Sequence, residues 1–390
     1  MSTTDLIITG SGILGLATAF LAHRQGRRVR VIDRCARPVG SSVQNFGHAC
    51  FTGQADDIQD LAMTSRAGWQ QAAAATGIWA AETGSYIPAM TEPELRVLQE
   101  FADHRGPDQA RLLGAEEVAS AVGNPNLGAV GGAHLPQDMR VDPREAAPAI
   151  ARWLADRGVE FTWNTTVTEV ADGTVSTNRG QFHAEQVVVC PGLGLSALFP
   201  SIAEAHGVRT CTLVMSLIER PRHIPTGLAL LTGTSLARYD GFAAMPGASA
   251  LREDLAQREP ELVDVIANLM VTDIADGLLI GDSHAYSLSP EPFIDETIAD
   301  LLLDRVTGIL GIDAPVVSQR WLGHYADSTD TNLILEHPDE RTTVAVVTSG
   351  IGMTLSFGIA DRILGGSPIE TAASVTADTP TSDEVVMSGR

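Results

Sequence analysis

The chain has 390 residues, a net charge of -22 and 26 basic residues, every one of them arginine. That length exceeds one ordinary hydrophobic core and points to two domains, and the acidic balance argues against nucleic acid or an anionic membrane as partner. The absence of lysine excludes a P-loop lysine, a pyridoxal Schiff base and a lysine general base. No apolar run reaches the ~20 residues of a membrane span. The N-terminus enters a strand directly, so no signal peptide is expected. Cys35, Cys50, Cys190 and Cys211 lack CxxC or metal-ligand spacing. They read as free thiols in a reducing cytoplasm, with no metal site.

Leu6–Thr9 reads as a strand, Gly10-Ser11-Gly12-Ile13-Leu14-Gly15 as a glycine turn, the apolar-periodic run to Gly26 as a helix, and Val29–Ile32 as a second strand closed by Asp33. Gly10 permits the tight turn, Gly12 lets a pyrophosphate approach the backbone, and Gly15 lets helix and sheet pack closely. The helix N-terminus offers free N–H groups and partial positive charge to phosphates, and Asp33 stands where a carboxylate takes ribose hydroxyls. These parts predict a dinucleotide site.

The polar loop Ser41–Cys50 follows, where loops at strand ends line the ligand crevice. A helix is expected over Asp56–Ala75, with Trp69 and Trp79 as core residues. Further helices are expected over Glu92–His104, Ala115–Ala121 and from Asp142-Pro143 to about Arg157. Short strands are expected at Glu160–Asn164, Val167–Ala171, Thr174–Asn178 and Gln181–His183. The run Gln186–Gly192 reads as a separate buried parallel strand returning to the nucleotide sheet.

A second, mostly antiparallel sheet is expected from Thr210–Ile218, Leu228–Leu231, Ser235–Met245 and Gly277–Ser283. Helices near Arg252–Met270 and Glu296–Leu310 interrupt it. Thr343–Val347, the turn Thr348–Thr354 and a helix to Leu364 repeat the strand–glycine turn–helix pattern. The expected layout is an α/β Rossmann-type domain (residues 1–85, 142–209 and 326–366) with an inserted α+β substrate domain (86–141 and 210–325). Residues 367–390 read as a mobile tail.

An interrupted nucleotide fold favours FAD over a nicotinamide, and a second helix N-terminus at Gly350–Thr354 would stabilise charge on a reduced flavin ring. Over roughly residues 5–365 the chain resembles the D-amino acid oxidase, glycine oxidase and sarcosine oxidase superfamily of FAD enzymes. Gly10–Gly15, Asp33-Arg34, Ser41-Ser42, Val167, Val188–Gly192 and Gly350–Thr354 carry the resemblance. It implies non-covalent FAD held by Gly10, Gly12, Ile13, Leu14, Gly15, Asp33, Arg34, Ser41, Ser42, Asn45, Phe46, Gly47, His48, Val167, Cys190, Gly192, Gly350, Ile351, Gly352, Met353 and Thr354.

A narrower resemblance, in Ser42–His48, Arg238-Tyr239, Gly281–His284 and Arg320–Tyr325, is to a bacterial subgroup associated with phosphonate breakdown. It implies oxidation of an aminophosphonate such as N-methylated 2-aminoethylphosphonate. Amino acid oxidases usually place a carboxylate-binding arginine just upstream of the C-terminal nucleotide unit, where this chain has His324 and Tyr325. Arg238 with Tyr239 is the replacement anion anchor, because a guanidinium holds phosphonate or carboxylate bidentately. His284 is a further substrate contact, and His48, His324 and Tyr325 are the catalytic candidates. His48 and His324 are also the candidate positive charges for O₂ activation, the alternative acceptor being an electron-transfer partner. The competing readings are an FAD-dependent 2-hydroxy acid dehydrogenase and a non-catalytic flavin-binding protein.

Overall fold

The computed structural model describes residues 4–365; the expected mobile tail lies outside the described residues. β1 (Thr4–Thr9) leads through the glycine turn into α1 (Ile13–Arg24) and on to β2 (Val29–Ile32). Ten consecutive residues of α1, Ile13 to Ala22, are buried, because the helix is apolar on all sides and packs between the sheet and other helices. α2 (Gln59–Thr76) follows a short 3₁₀ turn and ends at Gly77, whose φ of 72° is the left-handed cap that glycine adopts without strain. α3 (Pro143–Ala155) starts as expected, with Asp142 accepting the Arg144 N–H at 2.9 Å and proline at the first turn.

β3 (Glu160–Thr162) is followed by the hairpin Val167–Ala171 and Thr174–Thr177, then by β4 (Gly180–Val189). Here the structure corrects the sequence reading: the segments at Gln181–His183 and Gln186–Gly192 are one strand serving two neighbourhoods. Its first half pairs antiparallel with Thr174–Thr177, while Val187–Val189 pair parallel with β1.

Further along the chain come β5 (Arg209–Ile218), β6 (Met270–Ile274), β7 (Gly277–Gly281), β8 (Val317–Asp327), β9 (Leu333–Asp339), β10 (Thr342–Val347) and α4 (Gly352–Ile363). The nucleotide-type sheet runs β3-β2-β1-β4-β10, all parallel, with β9 antiparallel at the edge. The second sheet is built around β5, flanked by β8 along its whole length and by β7. It continues through β6, Ala229–Leu231, Ser85–Ala89, Gly131–Leu135 and Arg111–Leu113. Every pairing in it is antiparallel except that of Ala229–Leu231 with Ser85–Ala89.

Three further expectations are corrected. Ser235–Met245 is not a strand: the Thr232 N–H donates to Ser235 Oγ, and two short helices, Gly233–Arg238 and Asp240–Ala243, follow. The helix expected over Arg252–Met270 is instead Ala248–Arg258 and Pro260–Asp264, because Pro260 cannot continue the first helix and opens the second. Met270 then opens β6, a strand buried along its whole length, so no polar alternation marked it. Trp69 is a core residue whose Nε1–H donates to Met353 O at 2.7 Å, but Trp79 is 42% exposed.

Candidate active site

One cleft of about 730 Å³ runs from the β1–α1 turn across the ends of the parallel strands to the face of the second sheet. At its nucleotide end the glycines are required by close backbone approach. A Cβ on Gly10, where φ is +98°, would sit 2.3 Å from Cys190 O, and one on Gly15 would sit 2.0 Å from Gly10 O. Backbone cannot yield as a flexible side chain could, so neither position tolerates a larger residue. The N-terminus of α1 opens onto this end, and the Ile13 N–H donates to Ser42 Oγ at 2.8 Å. The Asp33 carboxylate closes it: Oδ2 accepts the Ser11 N–H at 2.6 Å and the Ser11 hydroxyl at 2.7 Å, and Oδ1 accepts the Cys35 N–H at 2.8 Å.

The middle of the cleft is bounded by the Ser41–His48 loop and by the turn before α4. Ser41 Oγ donates to His324 O at 2.6 Å, tying this loop to β8. Asn45 organises the loop itself, donating to Ser41 O at 2.7 Å and accepting the Gly47 N–H at 2.6 Å. Ser349 and Gly350 both have φ of 79°, which folds the turn so that Ile351, Gly352 and Met353 present the start of α4 to the cleft. Tyr325 packs against this turn, its ring carbons 3.1 Å from where a Cβ on Gly350 would be.

Of the expected cofactor contacts, Gly47 and Thr354 do not line the cleft, and the rest do. Gly47 has φ of +66° and is pressed against Val141 O, while Thr354 is buried inside α4. The far wall brings together Arg238, Tyr239, His284, His324 and Tyr325 from three separated stretches of chain. Arg238, half-buried at the end of its short helix, is hydrogen-bonded to Tyr286 Oη at 3.3 Å. Among the described residues no carboxylate closes an ion pair on it.

His48 is not the charge that O₂ activation was expected to draw on. Its Nε2 lies 3.0 Å from Ser85 Oγ, and that hydroxyl donates to Asp138 Oδ2 at 2.8 Å, so the serine accepts the Nε2–H. Burial, reinforced by Arg140, pushes its pKa down to about 3 and keeps the ring neutral. His284 is likewise pushed down to about 3 by burial and then by Arg238, with its Nδ1 2.9 Å from Ile266 O. The His324 pKa is also lowered by partial burial, and the Tyr325 hydroxyl is raised by burial and by Cys211, so it stays protonated.

Sequence reasoning passed over several lining residues: Gln44, Gln54, Thr165, Thr166, Asn268 and Asp282. Asp282 stood inside the singled-out stretch Gly281–His284, and a carboxylate following an apolar strand was its signal.

The residues fit FAD: two glycine-lined helix N-termini, a carboxylate at the end of β2, and one long cleft that joins them to a polar wall. The two turns and Asp33 would hold the cofactor, which when bound supplies the hydride-accepting chemistry. Comparison with known structures gives the same fold. Glycine oxidase from Geobacillus kaustophilus superposes with a TM-score of 0.73 at 20% identity, over 95% of this chain and 96% of that one. L-amino acid deaminase from Proteus vulgaris gives 0.73 at 18% identity, covering 95% and 92%. Iminodiacetate oxidase from Chelativorans sp. BNC1 gives 0.70 at 18%, covering 93% and 96%. No curated protein sequence matches the chain. The family model described as FAD dependent oxidoreductase, DAO, matches residues 5–364, and the chain belongs to that family of FAD enzymes.

Proposed function

We propose that this enzyme oxidises the C–N bond of a small anionic amine to an imine, which hydrolyses to an aldehyde or keto product and a released amine. An aminophosphonate such as N-methyl-2-aminoethylphosphonate leads the substrate class, with amino acids next. The observation that carries the reading is Arg238: a half-buried guanidinium in the cleft wall, hydrogen-bonded to the Tyr286 hydroxyl and in no ion pair among the described residues. A cation held without a counter-ion in a partly desolvated wall gains most from an anionic ligand, and its planar fork suits phosphonate or carboxylate. The names of the structural neighbours, oxidases and deaminases of amino acids and an iminodicarboxylate, support an amine with an acidic group.

The protein's own work is orientation. Arg238 fixes the anion, Tyr325 and the turn at Gly350 shape the space beside it, and the neutral histidines line the wall without competing for the negative charge. Anaerobic mixing with amines, amino acids, aminophosphonates and 2-hydroxy acids, monitored by flavin bleaching, tests the class. Arg238→Met should raise KM for an anionic amine by roughly 10- to 100-fold, the loss of a charge-assisted contact. KM for a neutral analogue should hardly move. Equal effects on both would place the anion elsewhere.

A further inference from the structure

Beside Arg238 the cleft wall contains a carboxyl that the reading above leaves unused. Asp282 follows β7, is 4% exposed and lines the cleft, and its Oδ1 has no hydrogen-bond partner among the described residues. Its backbone is fixed from both sides by Asn268: the Asn268 N–H donates to Asp282 O at 2.8 Å, and the Asp282 N–H donates to Asn268 O at 3.1 Å. Asn268 also lines the cleft, and its Oδ1 too is buried without a partner, while its Nδ2 is turned to Met270 Sδ at 3.2 Å. Two side-chain oxygens are therefore left bare on paired backbone positions of one wall. Buried acceptors without donors are costly and rare, and a pair of them on residues that line a cleft is a candidate site for N–H groups.

We propose that Asp282 and Asn268 form the amine subsite: Asn268 Oδ1 accepts one N–H of the bound substrate, and the Asp282 carboxylate takes the proton that makes its ammonium a neutral amine. The inference rests on the anionic-amine reading. In the step, one N–H bond of the ammonium breaks and its electron pair stays on nitrogen. An O–H bond forms on the Asp282 carboxylate, and the neutral amine left behind is the form that gives up a hydride. Arg238 and Asp282 together then match a zwitterion, the guanidinium to the anion and the carboxylate to the cation.

The groups facing Asp282 leave it as the titrating member of this wall. Arg238 is permanently charged; its pKa is raised, with burial opposing and Tyr286 prevailing. His284 is held neutral. Burial raises the Tyr239 and Tyr325 hydroxyls and the Cys211 thiol, so all three keep their protons. Burial raises Asp282 to about 8, with Arg238 pulling against it; an ammonium bound beside it favours the carboxylate further, and the two then exchange a proton near neutral pH.

The test uses the FAD-loaded full chain and Asp282→Asn. Binding, read from the flavin spectrum, is measured for amines with no hydrogen on the carbon bearing nitrogen: 2-aminoisobutyrate and 2-amino-2-methylpropylphosphonate. Each is compared with its nitrogen-free twin, pivalate and neopentylphosphonate. The wild type should prefer the amine of at least one pair by tenfold or more, and Asp282→Asn should lose that preference while binding of the twin holds. A wild type without the preference, which needs no variant to establish, overturns the subsite; so does a preference that survives in Asp282→Asn. Flavin reduction by an oxidisable amine should slow at least tenfold in the variant at pH 7 and recover as pH passes the substrate's own ammonium pKa. A deficit equal at every pH makes Asp282 structural and overturns the proton role. An amine preference in binding with no amine able to reduce the flavin supports the subsite and overturns the proposed reaction instead.

Discussion

Asp33 already accepts three hydrogen bonds from its own chain, two from Ser11 and one from the Cys35 N–H, so its carboxylate is aimed before any ligand arrives. Asp33→Ala removes both that scaffold and the acceptor expected for the ribose. The loss, at about 1.5–3 kcal/mol for a charge-assisted bond, should raise the FAD dissociation constant roughly 10- to 150-fold, measured by flavin fluorescence on release. Unchanged retention would remove Asp33 from the ribose. His48 makes a prediction of the opposite kind, about the fold. Its pKa falls from 6.5 to about 3 on folding, so the unfolded chain binds the extra proton. Stability is then full above pH 6.5 and falls by about 1.4 kcal/mol per pH unit toward pH 3 on account of this residue. Asp282, raised to about 8, works against it, adding stability as pH drops from 8 toward 3.8. The difference between wild type and His48→Gln isolates the histidine. Urea unfolding from pH 6.5 to 4.5 should show the wild type losing stability relative to the variant as pH falls, and parallel curves would refute the neutral buried ring.

α4 meets α2 at a crossing set by two glycines. A Cβ on Gly68 would lie 2.4 Å from Phe357 Cβ, and one on Gly358 would lie 2.2 Å from Leu61 O. Trp69 locks the same contact, its ring 5.1 Å from that of Phe357 and its N–H on Met353 O, the residue that carries the first turn of α4 to the cleft. Gly358→Ala should cost about 1–3 kcal/mol by overpacking. Because the displaced helix also presents its N-terminus to the cofactor, FAD affinity should drop with the melting temperature. A variant that melts earlier yet holds FAD as before would uncouple the crossing from the site. Elements with strong local signals were legible in sequence: α1 from its glycine turn, α3 from Asp142-Pro143, and the helix Glu296–Leu310 to the residue. Those misread were decided by context. The strand expected over Ser235–Met245 lost to a helix start at Thr232, and β6 is five residues long with Thr272 and Asp273 at its centre, too short and mixed for periodicity to tell strand from helix.

Across the whole molecule, the nucleotide end of the site was legible because its parts are consecutive, six residues from Gly10 to Gly15 and an acid at the next strand's end. The opposite wall was only partly legible. Asp282 and Tyr325 meet through the pairing of β5 with both β7 and β8, the second of these joining residues more than a hundred apart, and Arg238 reaches them from the short helix Gly233–Arg238 through its hydrogen bond to Tyr286. The charge inventory is also a property of the whole chain. With no lysine and with the histidine pKa values of the cleft pushed down, the fixed cations lining it are Arg34 and Arg238. Stopped-flow reoxidation of the reduced enzyme by O₂ should therefore show no limb near pH 6.5 between roughly pH 5 and 9, the range that brackets a histidine titration. A rate that falls through pH 6.5 and loses that fall in His324→Asn would restore a histidine to the role. The chain route has one more consequence, for biosynthesis. β10 and the turn before α4 complete a cleft whose opposite side is residues 9–15. A ribosome must pass residue 353 before both helix N-termini exist, and from Val189 until Thr342 a nascent chain carries β4 without one of its neighbours. Cofactor capture is then expected late in synthesis: a chain cut short before Thr342 should stay colourless when purified and leave β4 with an open sheet edge prone to proteolysis.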